Sequence, residues 1–323
     1  MSDQALEFCE KILKKVSRSF ALSIPLLDES LYRPVMVTYL QDRLLDNFED
    51  EVEDISLERR KELMDLVSRV FSPGEQRPDK VIATVEKNAY LLSDKWLRRL
   101  TENTSLVWEV YNQLEKSVKE FSHYWLEEMN QGMQIFLEKE VETFADLDQY
   151  CYYVAGTVGG FLTDLIIEKS KIGEDEQKKL KDNFNDAGLF LQKVNIIRDI
   201  KRDLDQRNKN YWPLIELGID ENDLRERQNK NRVLNALNRM IADVHRHLPG
   251  LVEYMEAIPE DFSGYRKFYC VNNALGLATL EKMKDNPQVV YGKKKVKVAK
   301  MKFLKILGRP EKSFGDLSSR LMG

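Results

Sequence analysis

Apolar residues recur at intervals of three and four along almost the whole chain, while alternation with a period of two is nearly absent. Glycine and proline are few, fifteen and nine among 323 residues, and clusters of them such as SPGEQRP and IPEDFSG separate the periodic segments. No long flexible linker interrupts the sequence. The pattern therefore predicts an all-α protein in which residues 1–323 form a single domain.

The composition excludes several classes of function. Hydrophobic residues make up 42% of the chain and charged residues 32%, as in an ordinary globular protein. A net charge of −4 argues against general nucleic-acid binding, which favours basic surfaces. The three cysteines are far apart, and none lies near the paired His245 and His247, so we expect no zinc site. The first residues carry acids and no run of about 18 uninterrupted apolar residues occurs, so we expect a cytoplasmic protein without a membrane-spanning helix.

The first cluster of acids lies in the stretch YLQDRLLDNFEDE, residues 39–51. Asp42, Asp46 and Asp50 are spaced by four and therefore share one face of a helix, and Glu49 lies one position from that face. Like charges at this spacing destabilise an isolated helix by about 0.2–0.5 kcal/mol per pair. The leucines and the phenylalanine between the acids indicate that the other sides of the helix are packed.

A second polar stripe crosses the apolar stretch FLQKVNIIRDIKRD, residues 190–203. Gln192, Asn195, Asp199 and Asp203 follow one another at spacings of three, four and four, which places them on one side of a helix. Clustered oxygen ligands without histidine or cysteine suit hard cations such as Mg²⁺. The two stretches therefore predict either two solvated acidic faces or a cradle in which metal ions hold a diphosphate.

The chain resembles the squalene/phytoene synthase family of head-to-head prenyl transferases, and within it the members that make squalene. The resemblance covers nearly the whole chain and includes six motifs in the family's order: CEKILKKVSRSFALSI, YLQDRLLDNFEDE, LDQYCYYVAGTVGGFL, FLQKVNIIRDIKRD with YWP after it, FYCVNNALGLATL and NPQVVYGKKKVKV. It implies one isoprenoid-synthase helical bundle around a central cavity. Each motif alone is a weak signal, but together they are specific.

The activity that the resemblance implies has two halves. Two farnesyl diphosphates condense head to head to presqualene diphosphate, and an NADPH-dependent reductive rearrangement then gives squalene. The alternative is a presqualene-diphosphate or dehydrosqualene synthase without the NADPH step. Head-to-tail elongation and terpene cyclisation are less consistent with the motifs, because neither accounts for the Tyr150 segment or the Ser-Arg-Ser-Phe element. The complete set of Asp, Arg and Tyr residues argues against a non-enzymatic helical scaffold.

The resemblance also implies roles for individual residues. The metal ions, Mg²⁺ with Mn²⁺ as an alternative, are expected on Asp46, Glu49, Asp50, Asp199 and Asp203. Diphosphate groups are expected to contact Arg18, Arg43, Arg198, Gln192 and Asn195. The expected catalytic residues are Tyr150, Tyr39, Phe268, Asp46 and Asp199. NADPH is expected to contact Ser17, Ser19, Phe20, Lys295 and Lys297.

Within this assignment, Tyr150 assists proton removal during cyclopropane closure, Tyr39 lies near the same carbocations, and the ring of Phe268 stabilises them by cation–π attraction. The basic stretch GKKKVKVAKMK, residues 292–302, departs from the family because Lys297 stands where an arginine is usual, so the bidentate guanidinium fork is lost. Since squalene is too apolar to diffuse through water, we expect this protein to contact a membrane surface. The lysine-rich segment would contribute to that contact. We expect the protein to be a monomer.

Overall fold

The computed structural model describes residues 2–17, 20–52, 55–74, 78–207 and 209–322, with side chains from Gln4 onward. These residues form helices and no strand, apart from one isolated antiparallel bridge between Val52 and Leu92. The prediction of an all-α fold is confirmed. Arg18 and Ser19, for which the sequence implied roles, lie outside the described residues.

The contacts divide the chain into two compact units. The first contains residues 1–138 and 161–171, and the second contains residues 139–160 and 172–323. That residues 1–323 act as a single domain around a central cavity stays a prediction, and each unit is described by itself below.

The first unit is built around a long helix with one apolar side. The helices in this part of the chain are α1 Ser2–Val16, α2 Phe20–Ser23, α3 Glu29–Asp50, α4 Leu57–Val70, α5 Asp79–Lys87, α6 Lys95–Thr101, α7 Thr104–Asn112 and α8 Lys116–Phe136. Leu40, Leu44 and Phe48 of α3 are fully buried, and α3 packs against α1, α4, α7 and α8. Helix α4 begins where the Ser56 hydroxyl accepts a hydrogen bond from the Arg59 amide, which satisfies an otherwise unpaired helix N–H.

The second unit is centred on a helix of 29 residues. The remaining helices of the chain are α9 Phe144–Cys151, α10 Thr157–Lys169, α11 Glu174–Arg202, α12 Leu214–Leu217, α13 Glu221–Arg225, α14 Lys230–His245, α15 Leu248–Ala257, α16 Ser263–Met283, α17 Gln288–Tyr291, α18 Lys300–Gly308 and α19 Pro310–Met322. Residues 161–169 of α10 belong to the first unit. Two π-helical turns, Tyr152–Gly156 and Asp203–Arg207, follow directly after α9 and α11. Such turns are rare and occur frequently at functional sites.

Close approach of two backbones explains part of the glycine-rich VAGTVGG run. A Cβ atom added at Gly188 of α11 would lie 2.5 Å from the backbone oxygen of Ala155 in the first π turn. One added at Gly156 would collide with the side chain of Asn185, again on α11. The absence of these Cβ atoms therefore lets α11 lie directly against the segment that follows Tyr150.

One stretch of helix, Phe144–Lys169, is long and apolar enough by length and composition to cross a membrane. Only half of its most apolar window is buried, but core helices of soluble proteins commonly meet the same criteria. It also carries Asp148, which pairs with a buried lysine of α11. The described part of the chain therefore contains no clear transmembrane segment.

We expect Gly188→Ala to destabilise the protein by about 1–3 kcal/mol, because the added methyl group meets backbone atoms that cannot rotate away. Gly315→Ala is the matched control, since nothing lies within 4 Å of the position of its Cβ in helix α19. There we expect a gain of up to about 1 kcal/mol from the lower backbone entropy of the unfolded chain. Urea unfolding followed by circular dichroism measures both, and equal effects of the two variants would contradict the close packing.

Candidate active site

The first acidic cluster lies on the last three turns of α3. Asp42, Asp46 and Asp50 are partly buried, and the Asp46 side chain keeps 35% of its exposed area. Arg43 lies beside them, with its Nη1 atom 3.3 Å from Asp46 Oδ2 and its Nη2 atom 3.5 Å from Glu51 Oε1. The shared helical face predicted from the spacing therefore carries one guanidinium group among its acids.

Glu49 differs from its neighbours because it is only 3% exposed. The backbone beside it is held by Arg60, whose guanidinium donates hydrogen bonds to the carbonyl oxygens of Glu49 and Val52. These bonds satisfy carbonyl groups at the end of α3 that have no partner within the helix. The structure therefore places Glu49 in the interior, whereas the predicted metal ligand Asp46 remains accessible.

The electrostatics of this cluster favour the arrival of a cation. Burial, and after it the charge of Asp46, raises the pKa of Asp42 well above its ordinary value. Burial also raises the pKa of Asp46 to about 6, and Asp50 contributes to the increase although Arg43 opposes it. Burial thus disfavours the charged forms of both acids, and repulsion from the neighbouring carboxylates adds to this effect. A divalent ion would relieve this repulsion.

Three residues predicted for different roles meet beside this cluster. The ring of Phe20 lies 5.4 Å from that of Tyr39, and the hydroxyl of Ser17 hydrogen-bonds to Tyr39. Burial raises the pKa of Tyr39, while Ser17 and Arg43 lower it, so the phenol is held in its neutral form. The structure therefore brings Ser17 and Phe20, predicted for NADPH, to the predicted catalytic Tyr39.

In the second unit, the polar stripe of α11 ends in two buried carboxylates. Asp199 is 7% exposed and Asp203 is 5% exposed, whereas Gln192 and Asn195 are partly buried. The alternative of a solvated acidic face is therefore wrong for these two acids. Asp199 lies in the last turn of α11, and Asp203 begins the π turn that follows it.

Asp199 is surrounded by cations. Arg198 donates from Nε to Asp199 Oδ1 at 3.0 Å and from Nη2 to Oδ2 at 2.9 Å, and Lys295 Nζ lies 2.7 Å from Oδ1. Burial alone would raise the pKa of Asp199, but Arg198 and Lys295 together lower it to about 2. Asp199 is therefore ionised at every pH at which the protein would work.

Asp203 is in a different electrostatic state from its neighbour. Burial raises its pKa, and the charge of Asp199 adds to the increase, while Arg202 and Arg207 oppose it. Arg202 Nη2 lies 3.3 Å from Asp203 Oδ1, and Arg207 Nη1 lies 3.9 Å from the same atom. These longer contacts compensate for the burial less well than the short contacts of Asp199 do.

The predicted catalytic tyrosine lies at the end of α9, directly before the first π turn. Tyr150 is 4% exposed, and its ring stacks on that of Tyr211 at a centroid distance of 4.5 Å. Tyr211 belongs to the YWP motif, in which the Asn210 side chain bonds both the amide and the carbonyl group of Trp212. The two motifs, about sixty positions apart in sequence, thus meet through one aromatic stack.

Phe268 lies on α16, at 5% exposure, where its ring stacks on Tyr265 at 6.0 Å. The hydroxyl of Tyr265 is paired in turn with that of Tyr254 at 2.9 Å. The predicted cation-stabilising ring is therefore held within an aromatic cluster that fixes its orientation.

Sequence reasoning missed a buried ionic cluster around Lys193, the residue of α11 that directly follows Gln192 of the polar stripe. Lys193 is fully buried, and its Nζ atom contacts Asp148 of α9, Asp243 Oδ2 at 2.5 Å and His247 Nε2 at 3.0 Å. The other ring nitrogen of His247 lies 2.7 Å from Asp186. A lysine inside so apolar a segment was the available signal, since a buried ammonium group needs anionic partners.

This cluster contains the one group of metal-ligand side chains found among the described residues, namely Asp148, Asp243 and His247, whose ligand atoms lie within 4.8 Å of one another. The ammonium group of Lys193 already binds all three. A metal ion there would have to displace a fully buried cation, so the arrangement fits an internal ionic cluster and not a metal site.

A basic pocket of about 750 Å³ lies at the segment that follows α17. Cationic and amide side chains line it, and no acid does: Arg227, Lys282, Asn286, Gln288, Lys293, Lys294, Lys295 and Lys297, with Val296. Its shape is fixed in part by Lys282, which donates to the Lys297 carbonyl oxygen at 3.2 Å. Both lysines predicted for NADPH therefore lie in one anion-attracting pocket, and Lys295 also reaches Asp199.

The donor groups fit a metal-bound diphosphate. The oxygen-rich set of Asp42, Asp46 and Asp50 suits Mg²⁺, which binds a few carboxylates together with substrate phosphates. The buried Nε atom of Arg43 has no hydrogen-bond partner among the described residues, and a phosphate oxygen would satisfy it. At Asp199, by contrast, an arriving cation has to exchange with Lys295.

The family is established by comparison with known proteins. The family model for squalene/phytoene synthase matches residues 13–302. The chain therefore belongs to the squalene/phytoene synthase family, which confirms the resemblance read from its motifs.

Individual relatives agree with this assignment. Squalene synthase LSS of Botryococcus braunii is 31% identical over 303 residues, which cover 90% of this chain and 60% of that protein. Human squalene synthase is 30% identical over 305 residues, covering 91% of this chain and 67% of that protein. The chain thus spans about 60% to two thirds of the length of these relatives.

Solved structures share the fold. The structure of TcSQS with the ligand BPH1237 superposes with a TM-score of 0.84 at 30% identity, covering 98% of this chain and 90% of that one. A dehydrosqualene synthase in complex with ligand gives a TM-score of 0.60 at 19% identity, over 99% of this chain and 98% of that one. The second likeness supports the fold alone.

The pKa shifts predict that Asp46→Asn raises the melting temperature at pH 7 in EDTA. The unfolded carboxyl group ionises near its ordinary pKa, but the folded one only near pH 6. Between these values the wild type loses stability as the pH rises, and at pH 7 it carries the full cost. We expect an increase of about 1–3 °C at pH 7 and almost none at pH 4.

Asp146→Asn is the matched control, because its pKa is shifted in the opposite direction. Lys139 and the Thr143 hydroxyl lower the pKa of Asp146 to about 2, and the carboxylate completes the cap of α9. This variant should melt at a lower temperature than the wild type at pH 7. A lower melting temperature for both variants would contradict the picture of an electrostatically strained first cluster.

Proposed function

We propose that the protein condenses two farnesyl diphosphates head to head to presqualene diphosphate and then reduces this intermediate to squalene with NADPH. One observation carries the proposal: the buried carboxylate of Asp199 contacts both Arg198 and Lys295, and Lys295 also lines the basic pocket. Lys295 therefore links Asp199, an acid suited to a metal-bound diphosphate, to the basic pocket, whose lysines suit the phosphates of a cofactor. Family membership and the squalene synthase relatives support the same reaction.

The acids and arginines have complementary tasks in this proposal. Mg²⁺, or Mn²⁺ in its place, would be held by five carboxylates: Asp46, Glu49, Asp50, Asp199 and Asp203. When bound, the ion would stabilise the negative charge that grows on a departing diphosphate. Arg43 and Arg198 donate hydrogen bonds to phosphate oxygens in a fixed geometry. Gln192 and Asn195 extend this polar surface along α11, and Arg18 completes the predicted set.

The aromatic residues act on the hydrocarbon part of the substrate. Tyr150, held by its stack on Tyr211, would assist removal of the proton that closes the cyclopropane ring. The ring faces of Phe268 and Tyr39 would stabilise carbocations, an attraction of about 0.5–2 kcal/mol for each ring. Burial of the farnesyl chains contributes about 0.8 kcal/mol per methylene group and keeps water away from the cations.

For the reductive half, the basic pocket would bind the phosphates of NADPH through Lys295 and Lys297, with Ser17, Ser19 and Phe20 as further predicted contacts. Lys295 would leave Asp199 when a metal ion binds there, which frees its charge for the cofactor. The protein would act as a cytoplasmic monomer, in peripheral contact with a membrane surface.

The alternative is a presqualene-diphosphate or dehydrosqualene synthase without the NADPH step. The departure at Lys297 favours it, because a lysine stands where the family usually has an arginine and the bidentate guanidinium fork for a cofactor phosphate is lost. Incubating the protein with farnesyl diphosphate and Mg²⁺, with and without NADPH, and identifying the products by mass spectrometry separates the two. Squalene formed only with NADPH supports the first function, and identical products in both tubes support the second.

We expect Asp199→Asn to lower turnover of farnesyl diphosphate by about 10²–10³-fold, because one charge that stabilises the departing diphosphate is lost. The matched control is Asp205→Asn, six positions further along, whose exposed carboxylate pairs only with Lys201 and Arg225 among the described residues. It should keep wild-type turnover. Comparable activity of both variants, with unchanged circular dichroism, would refute the assignment of the acid site.

A second expectation concerns the reductive half alone. Lys297→Gln should raise the KM for NADPH severalfold and let presqualene diphosphate accumulate, while release of the first diphosphate proceeds at the wild-type rate. Lys267→Gln, a change of an exposed lysine on α16 outside the pocket, should alter neither quantity. If Lys297→Gln slowed both half-reactions equally, the pocket would not be a separate cofactor site.

A further inference from the structure

Helix α18 presents apolar side chains to the outside of the second unit. Only Ile306 of this helix is buried. Met301 is 80% exposed and Leu304 is 51% exposed, and no other large apolar side chain in the described part of the chain is more exposed than Met301. Their spacing of three places them one above the other on the same face.

Lysines surround this apolar face. Residues 293–305 contain seven lysines and no acid, although the chain as a whole carries a charge of −4. Lys300 and Lys305 are exposed on α18 itself. Two helices pack against α18, and their acids are Glu281, Glu311 and Asp316. Glu281 pairs with Lys302 and Glu311 with Arg266, whereas Asp316 is exposed on α19. No ion pair joins Lys300 or Lys305 to an acid among the described residues, so most of the positive charge around Met301 and Leu304 is not neutralised.

The combination of exposed apolar side chains with lysines distinguishes among possible anionic partners. A nucleic acid or a free phosphate would meet the lysines but would leave Met301 and Leu304 in water. An anionic phospholipid surface provides both a charged headgroup layer and an apolar layer directly beneath it. Short amphipathic helices with lysines around an apolar face bind in this boundary.

We propose that α18 is a membrane-docking helix, which inserts Met301 and Leu304 between the headgroups of an anionic bilayer while Lys300 and Lys305 contact lipid phosphates. The sequence indicated a role in membrane contact only for the lysine-rich segment, and the structure adds the apolar half of the surface. The docking helix rests on the peripheral membrane contact of the proposed function and names the element that makes it. Because docking requires no turnover and is measured without substrate, its failure would leave the proposed reaction intact.

The test is flotation of the full chain with vesicles at 0.1 M KCl. Vesicles of 70% phosphatidylcholine and 30% phosphatidylglycerol should carry the protein upward, and pure phosphatidylcholine should carry much less. Met301→Ser with Leu304→Ser should weaken partitioning into the anionic vesicles at least about tenfold. Lys300→Gln with Lys305→Gln should weaken it by roughly fivefold per lysine.

The matched control is Ile215→Ser on α12, since Ile215 is 69% exposed but lies outside the lysine-rich surface. It should float as the wild type does, and all variants should keep the wild-type melting temperature and turnover in detergent. Wild-type flotation of the Met301/Leu304 variant would overturn the proposal. If only the lysine variant lost flotation, the protein would be attracted to the vesicles by charge without inserting, which would overturn the proposal as well. A wild-type dimer in light scattering that this variant converts to a monomer would instead assign the face to a second copy.

Discussion

The buried ammonium group of Lys193 is the interaction on which the second unit depends. It joins α11 to α9 through Asp148 and to α14 through Asp243, and it contacts His247 directly before α15. Replacing such a cluster by apolar residues can be neutral, but removing one member leaves charges buried without partners. The cluster therefore sets where the helix bearing Tyr150 lies relative to the helix bearing Asp199.

The two acid clusters, around Asp46 in the first unit and around Asp199 in the second, have opposite electrostatic character. In the first unit, burial and the neighbouring carboxylates raise the pKa values of Asp42 and Asp46, although Arg43 lowers that of Asp46. In the second unit, Asp199 is compensated by Arg198 and Lys295, and its pKa falls. A divalent cation would stabilise the first cluster by binding, whereas at the second it must exchange with a lysine. The second cluster thus already holds a counter-ion, the ammonium group of Lys295.

An exchange of Lys295 for a metal ion at Asp199 would also affect the basic pocket. The Lys295 side chain contacts Asp199 and also lines the basic pocket, so its charge serves one of the two sites at a time. Binding of metal and diphosphate at Asp199 would then increase the positive charge available to a cofactor. The reductive half would be favoured only after the first site is filled, which suits a sequence of two reactions on one substrate.

Local features of the structure could be predicted from the sequence because they depend on residues close together in the chain. The helical periodicity, the common face of Asp42, Asp46 and Asp50, and the stripe that ends at Asp199 and Asp203 all follow from the geometry of one helix. The family motifs likewise identified Tyr150 and the basic segment. Glu49 shows the limit, because a position beside the acidic face did not reveal that its side chain is buried.

What only the tertiary structure decided are the partners and the burial of these side chains. Lys193 meets Asp243 across 50 positions, and Lys295 meets Asp199 across nearly a hundred. Compensation of a buried carboxylate depends in part on such distant cations: Asp199 pairs with its neighbour Arg198 and with Lys295, whereas Asp46 pairs with Arg43 of its own helix. The sequence by itself determined which residues share a helical face, since backbone hydrogen bonding sets that spacing locally. Only packing determined their electrostatic state, since burial and ion pairing are produced by segments that meet after the chain has folded.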